Sequence, residues 1–141
     1  MIDKIKKAFL EATEMIKEQA STLGEGAKEK SYQVIEEWLK VFPQLEINGL
    51  EVTSFALSVA LSPALEVELK GSHKDFTEDK VNQIIEENRK STGLLTVMNT
   101  IKTTYALHRK TYANLNDPLI VKVKIRLSPE IKVYIGQPLI E

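Results

Sequence analysis

Residues 61–71 read LSPALEVELKG and residues 127–136 read LSPEIKVYIG. In each copy Leu-Ser-Pro and a spacer are followed by an aliphatic residue at every second position, with a glycine close behind. Period-two alternation belongs to a strand that turns one set of side chains toward an apolar layer and the other away from it. The same parity runs upstream of both prolines. Phe55, Leu57, Val59 and Leu61 alternate with Ser54, Ala56, Ser58 and Ala60, while Leu119, Val121, Val123, Ile125 and Leu127 alternate with Ile120, Lys122, Lys124 and Arg126.

Ser followed by Pro suits a type I turn, because proline holds φ near the value that turn requires. A three-residue loop would set Leu61 opposite Leu65 and Val59 opposite Val67, so both arms of a hairpin offer aliphatic side chains to one face. A single long strand bent at the proline keeps the same alternation. Strands of about 15 residues are uncommon, however, and two hairpins are the expectation.

Helical spacing fills the rest of the chain. Ile2, Ile5, Phe9, Ala12, Ile16 and Leu23 form a stripe of an N-terminal amphipathic helix, and Gly24 and Gly26 interrupt it. Val34, Ile35, Trp38, Leu39 and Phe42 resume a helical face, which Pro43 is expected to end near residue 41. Asp75 and Thr77 are N-cap candidates, with Glu78 three residues after Asp75 as in a capping box. Val81, Ile84 and Ile85 continue that helix to Ser91-Thr92-Gly93. The stripe Leu94, Met98, Ile101, Tyr105, His108, Tyr112 then advances by steps of four and three.

These elements predict one α+β domain over residues 1–141, in the order α-α-ββ-α-α-ββ. Its parts are an N-terminal helical segment at 1–42, a first hairpin at 50–70, a helical pair at 75–113 and a second hairpin at 118–136. The hairpins form a four-stranded antiparallel sheet packed on one face by the N-terminal and central helices.

Composition narrows the chemistry. A net charge of −1 provides no field that would gather phosphate backbones or anionic lipid, so nucleic acid is disfavoured as a partner. The absence of cysteine removes disulfides, thiolate nucleophiles and thiolate metal sites, and fits a reducing compartment. No window is apolar for the length of a bilayer span, and the start lacks the apolar core of an export signal, which together predict a soluble cytoplasmic protein. Membrane contact would fall to the N-terminal helix, but Asp3, Glu11, Glu14 and Glu18 offset Lys4, Lys6, Lys7 and Lys17 there.

The candidate sites are few. Trp38, Tyr105, His108 and Tyr112 are the residues that would line a ligand pocket, although a histidine on an apolar stripe is more often buried and satisfied by a tyrosine hydroxyl or a backbone carbonyl. Lys122, Lys124, Arg126 and Lys132, with Tyr134 interleaved, form a basic strip; pairing with Glu66 and Glu68 across the sheet is the expected use of those lysines. Ser54, Ala56, Ser58 and Ala60 are small enough to admit another layer, either the N-terminal helix or a second subunit, and form a polar exterior if nothing covers them. His73 and Asp75 share a loop ahead of a helix cap and fall short of a zinc ligand set. No metal and no cofactor are expected, and no nucleophile stands in a catalytic context. The expectation is a non-enzymatic interaction or structural domain working as a homodimer or with a protein partner. The alternative is a carrier or sensor for an apolar small molecule or lipid held between sheet and helices.

Overall fold

The computed structural model describes residues 3–5, 7, 10, 11, 25–59 and 63–140. Its elements are α1 (Glu25–Ile47), β1 (Glu51–Val59), β2 (Pro63–Gly71), a 3₁₀ turn (His73–Asp75), α2 (Glu78–Glu87), α3 (Thr92–Thr111), β3 (Leu119–Ile125) and β4 (Glu130–Ile135). The strands form one antiparallel sheet in the order β1-β2-β3-β4. The fold is therefore α+β, built of two hairpins with the α2–α3 pair inserted between them. Of the N-terminal stripe, Ile5 lies in the core at 1% exposure; Ile2, Phe9, Ala12, Ile16 and Leu23 lie outside the described residues. No helix among the described residues is long and apolar enough to cross a membrane.

One sheet face meets the helices through Leu65, Val67 and Leu69 of β2 and Leu119, Val121, Val123 and Ile125 of β3, all at 2% exposure or less. Phe42 and Leu45 of α1 and Leu94, Val97, Met98 and Ile101 of α3 fill the other side, also fully buried. Each such side chain contributes about 1.5–3 kcal/mol through burial, so the interlayer packing outweighs any single local preference. A bulge at Thr53 lets Val52 and Phe55 both face this core, since an extra residue resets the parity between them. The Thr53 hydroxyl donates to the Glu68 carbonyl at 3.2 Å and holds the bulge in place.

Pro43 does not end the first helix. α1 runs through it to Ile47. Proline in a helix interior costs about 3 kcal/mol through a lost hydrogen bond and a ring clash. Phe42 and Leu45, both with no exposed area, lie on either side of it, and their burial exceeds that cost. The actual stop lies at Asn48-Gly49-Leu50. Gly49, at φ 108°, donates to the Glu46 carbonyl at 3.1 Å, and Leu50 donates to the Leu45 carbonyl at 2.9 Å. This is the paired reverse bonding of a Schellman motif, and the two leucines it joins are fully buried.

The hairpin register also differs from expectation. Leu57 pairs with Leu65, Phe55 with Val67 and Val59 with Pro63. Thus β2 begins at Pro63, which occupies the first position of a strand rather than the second of a turn. Proline is tolerated there because an initial strand residue can do without its N–H. Ala60, Leu61 and Ser62 lie outside the described residues. The second hairpin has the same register: adding 66 to both members of Ser58↔Ala64 gives Lys124↔Glu130, and adding it to Leu57↔Leu65 gives Val123↔Ile131. Arg126-Leu127-Ser128 then makes the bend.

Thr77 caps α2, its side chain accepting from the Lys80 N–H at 3.4 Å. Asp75, the other candidate, sits in the 3₁₀ turn and lies 3.9 Å from the Lys80 ammonium. α3 carries Thr96, Thr100 and Thr104, whose hydroxyls each donate to the carbonyl four residues back. That back-bonding satisfies the hydroxyls on a helix which such residues would not favour by propensity.

Candidate functional site

The sheet face opposite the helices carries the charge, in two rows set by the register. Ala56, Glu66, Lys124 and Glu130 form one, and Ser54, Glu68, Lys122 and Lys132 form the next. Glu66 and Lys124 meet at 3.2 Å and Glu130 and Lys132 at 3.8 Å. Lys122 lies 5.0 Å from the centre of the Tyr134 ring, a cation–π contact, while the Glu68 carboxylate accepts from Thr53 at 3.3 Å. The basic strip is thus drawn into local partners at Lys122, Lys124 and Lys132, and Arg126 stands exposed in the bend beyond β3. A shallow groove of about 450 Å³ runs across these rows. Ser54 and Ala56 line it, and Ser58 is exposed on the same face of the sheet.

Both edges of the sheet are strands without a neighbour among the described residues. They differ in character. From Ser54 to Val59, β1 holds no charge and no proline, whereas β4 includes Glu130 and Lys132. On the helix-facing side Phe55 and Leu57 of β1 and Ile131 and Val133 of β4 are only partly buried, although the corresponding residues of β2 and β3 are fully so.

The aromatic and histidine candidates are partly gathered. His73, Tyr105, His108 and Tyr112 line one depression of about 410 Å³ at the C-terminal half of α3. Trp38 stands elsewhere, against Phe42 and beside Gly93 at the start of α3. Gly93 precedes Tyr105 by twelve helical residues, or roughly 18 Å of rise. Tyr112 is 95% exposed and ends α3 in the left-handed region at φ 57°. His108 is half-buried and its Nε2 lies 3.1 Å from the Asn114 carbonyl oxygen.

The buried histidine is His73, at 8% exposure. Its Nε2 lies 2.6 Å from the Asn116 carbonyl oxygen and its Nδ1 lies 2.7 Å from the Tyr105 hydroxyl. A carbonyl can only accept, so in the neutral ring the proton is on Nε2 and the Tyr105 O–H donates to Nδ1. The His73 backbone N–H donates to Asp117 Oδ1 at 3.0 Å. Burial, and then the Asp117 carboxylate, raise the Tyr105 phenol well above its ordinary range. The cluster ties the end of β2, the middle of α3 and the loop before β3 to one another. With both ring nitrogens occupied, His73 has no lone pair left for a metal or a proton transfer in this arrangement. Among the described residues no group of three or more His, Asp or Glu side chains gathers as a metal site.

No sequence signal separated His73 from an ordinary loop histidine, since its partners lie 32 to 44 positions away. The lack of charge and proline between Ser54 and Val59 was legible in the sequence, but the place of β1 at the edge required the topology. No family model matches the chain, and no curated protein or solved structure matches it either.

Proposed function

We propose that this chain is a non-enzymatic interaction domain that associates with itself through the outer edge of β1. One observation carries the reading: β1 is a nine-residue edge strand whose Ser54–Val59 stretch lacks the charges and prolines by which edge strands are kept from pairing. With no neighbour on its outer side among the described residues, its backbone is a template for another strand, and the part-exposed Phe55 and Leu57 would gain burial from one. The carrier reading has less to rest on. Trp38 stands apart from the other aromatic candidates, and sheet and helices interlock through side chains with no exposed area. The cysteine-free composition fits action in a reducing compartment such as the cytoplasm.

The test is light scattering from micromolar to millimolar concentration, with the wild type beside an Ala56→Lys, Ser58→Lys double variant. Both replaced side chains are exposed on the open face, so the fold, followed by circular dichroism, should persist. The wild type should gain mass with concentration and the variant should stay monomeric. A wild type that remains monomeric throughout would overturn the proposal.

A further inference from the structure

The geometry points to β4 of a second copy as the strand that occupies the β1 edge, in a register already present inside the chain. This inference rests on self-association through β1 and adds the identity of the partner edge.

Within the chain, the two hairpins are copies related by a shift of 66 positions, so β3 is the counterpart of β1 and β4 that of β2. They are joined through β2 and β3, where Leu65 pairs with Ile125, Val67 with Val123 and Leu69 with Val121. The outer edges are therefore the counterparts of the two edges that meet at this joint: β1 presents the edge that β3 uses, and β4 the edge that β2 uses. Carrying the joint outward by the same shift pairs Val59 with Ile131, Leu57 with Val133 and Phe55 with Ile135 of the next copy. On the helix-facing side, Phe55 and Leu57 of one copy and Ile131, Val133 and Ile135 of the other are only partly buried within the single chain and would gain burial from this pairing.

On the open face the same register sets Ser58 opposite Lys132 and Ala56 opposite Tyr134. Small side chains of one edge thereby meet the long side chains of the other, with no like charges opposed. Pairing β1 with β1 would instead set small residues against small ones and leave the β4 edge uncovered. The helices are compatible with the arrangement, since α1 lies over β1, β2 and β3, α3 lies over β4, and α1 and α3 already pack side by side within the chain. Because the two edges differ, the contact is head-to-tail. Each copy added leaves one free β1 and one free β4, so association proceeds past the dimer unless sheet twist closes a ring.

The cysteine-free chain permits a direct test by site-specific linking. Ser58→Cys and Lys132→Cys variants are each treated with a short bis-maleimide, alone and mixed, and the products are read on a denaturing gel and by mass spectrometry. Linked dimer in the mixture, none above background in either variant alone, and a ladder from the double variant are the expected results. Linking of Ser58→Cys with itself to the same extent as in the mixture would overturn the β4 assignment while sparing association through β1. No linking in any sample, with a wild type that still gains mass in light scattering, would also overturn it. No linking together with a strictly monomeric wild type would remove both readings.

Discussion

Replacing Gly71 by alanine tests the junction that positions the His73 cluster. Gly71 ends β2, and a Cβ built there would lie 2.9 Å from Phe76 Cε2, 3.1 Å from the Gly49 carbonyl oxygen and 3.1 Å from Leu50 Cδ2. Phe76 and Leu50 are 1% and 0% exposed, and the carbonyl belongs to the reverse turn that stops α1. None of the three is a free side-chain end that could swing aside. Adding a methyl group to a packed core costs about 1–3 kcal/mol, against a gain of about 0.4–1 kcal/mol from restricting the unfolded chain. Gly71→Ala should therefore lose about 1–2 kcal/mol. For a chain of this size that lowers the thermal midpoint by roughly 3–8 °C. Urea denaturation followed by circular dichroism measures it, with an unchanged slope expected because the folded surface is unaltered. A double-mutant cycle with Phe76→Leu should recover part of the loss by removing the ring edge that the new methyl meets. If Gly71→Ala is as stable as the wild type or more so, the close approach of β2 to the Gly49 turn and Phe76 is wrong, and with it the account of how that corner is packed.

Other expectations follow from single features. Pro43→Ala should stabilise the chain by about 1–2 kcal/mol in the same urea assay, because the helix already continues through this position and would regain a hydrogen bond to Leu39; a loss of stability would mean that proline serves the native helix. Above pH 10 the unfolded chain releases the Tyr105 proton while the folded chain keeps it, so stability should fall with rising pH by at most about 1.4 kcal/mol per unit for this group, less for the part of the ring that solvent reaches. Urea midpoints between pH 9 and 11.5 should fall less steeply in Tyr105→Phe, with Tyr32, also raised by burial, supplying a residual slope. Glu66→Gln should cost under about 1 kcal/mol, since the Glu66–Lys124 pair is solvated, and that cost should shrink in high salt.

Local chemistry in the sequence was enough to settle the strands, their parity and the class of fold. Alternation at period two assigned Leu65, Val67, Leu69, Val121, Val123 and Ile125 to one face, and any antiparallel register of even shift leaves that assignment intact. For this reason the faces were legible although the pairing expected for the first hairpin was displaced. Helix spacing likewise identified Trp38, Phe42, Leu94, Met98 and Ile101 as buried. The tertiary structure decided what depends on energies summed over distant residues. Pro43 remains helical because Phe42 and Leu45 are buried against the sheet, and a local rule contains no such contribution. His73 rather than His108 is the buried histidine because Tyr105, Asn116 and Asp117 come from other parts of the chain to meet it. Finally, an uncharged strand in the middle of a sheet is merely core. The same strand at an edge is a template for another strand, and only the strand order makes β1 an edge of the sheet that the described residues form.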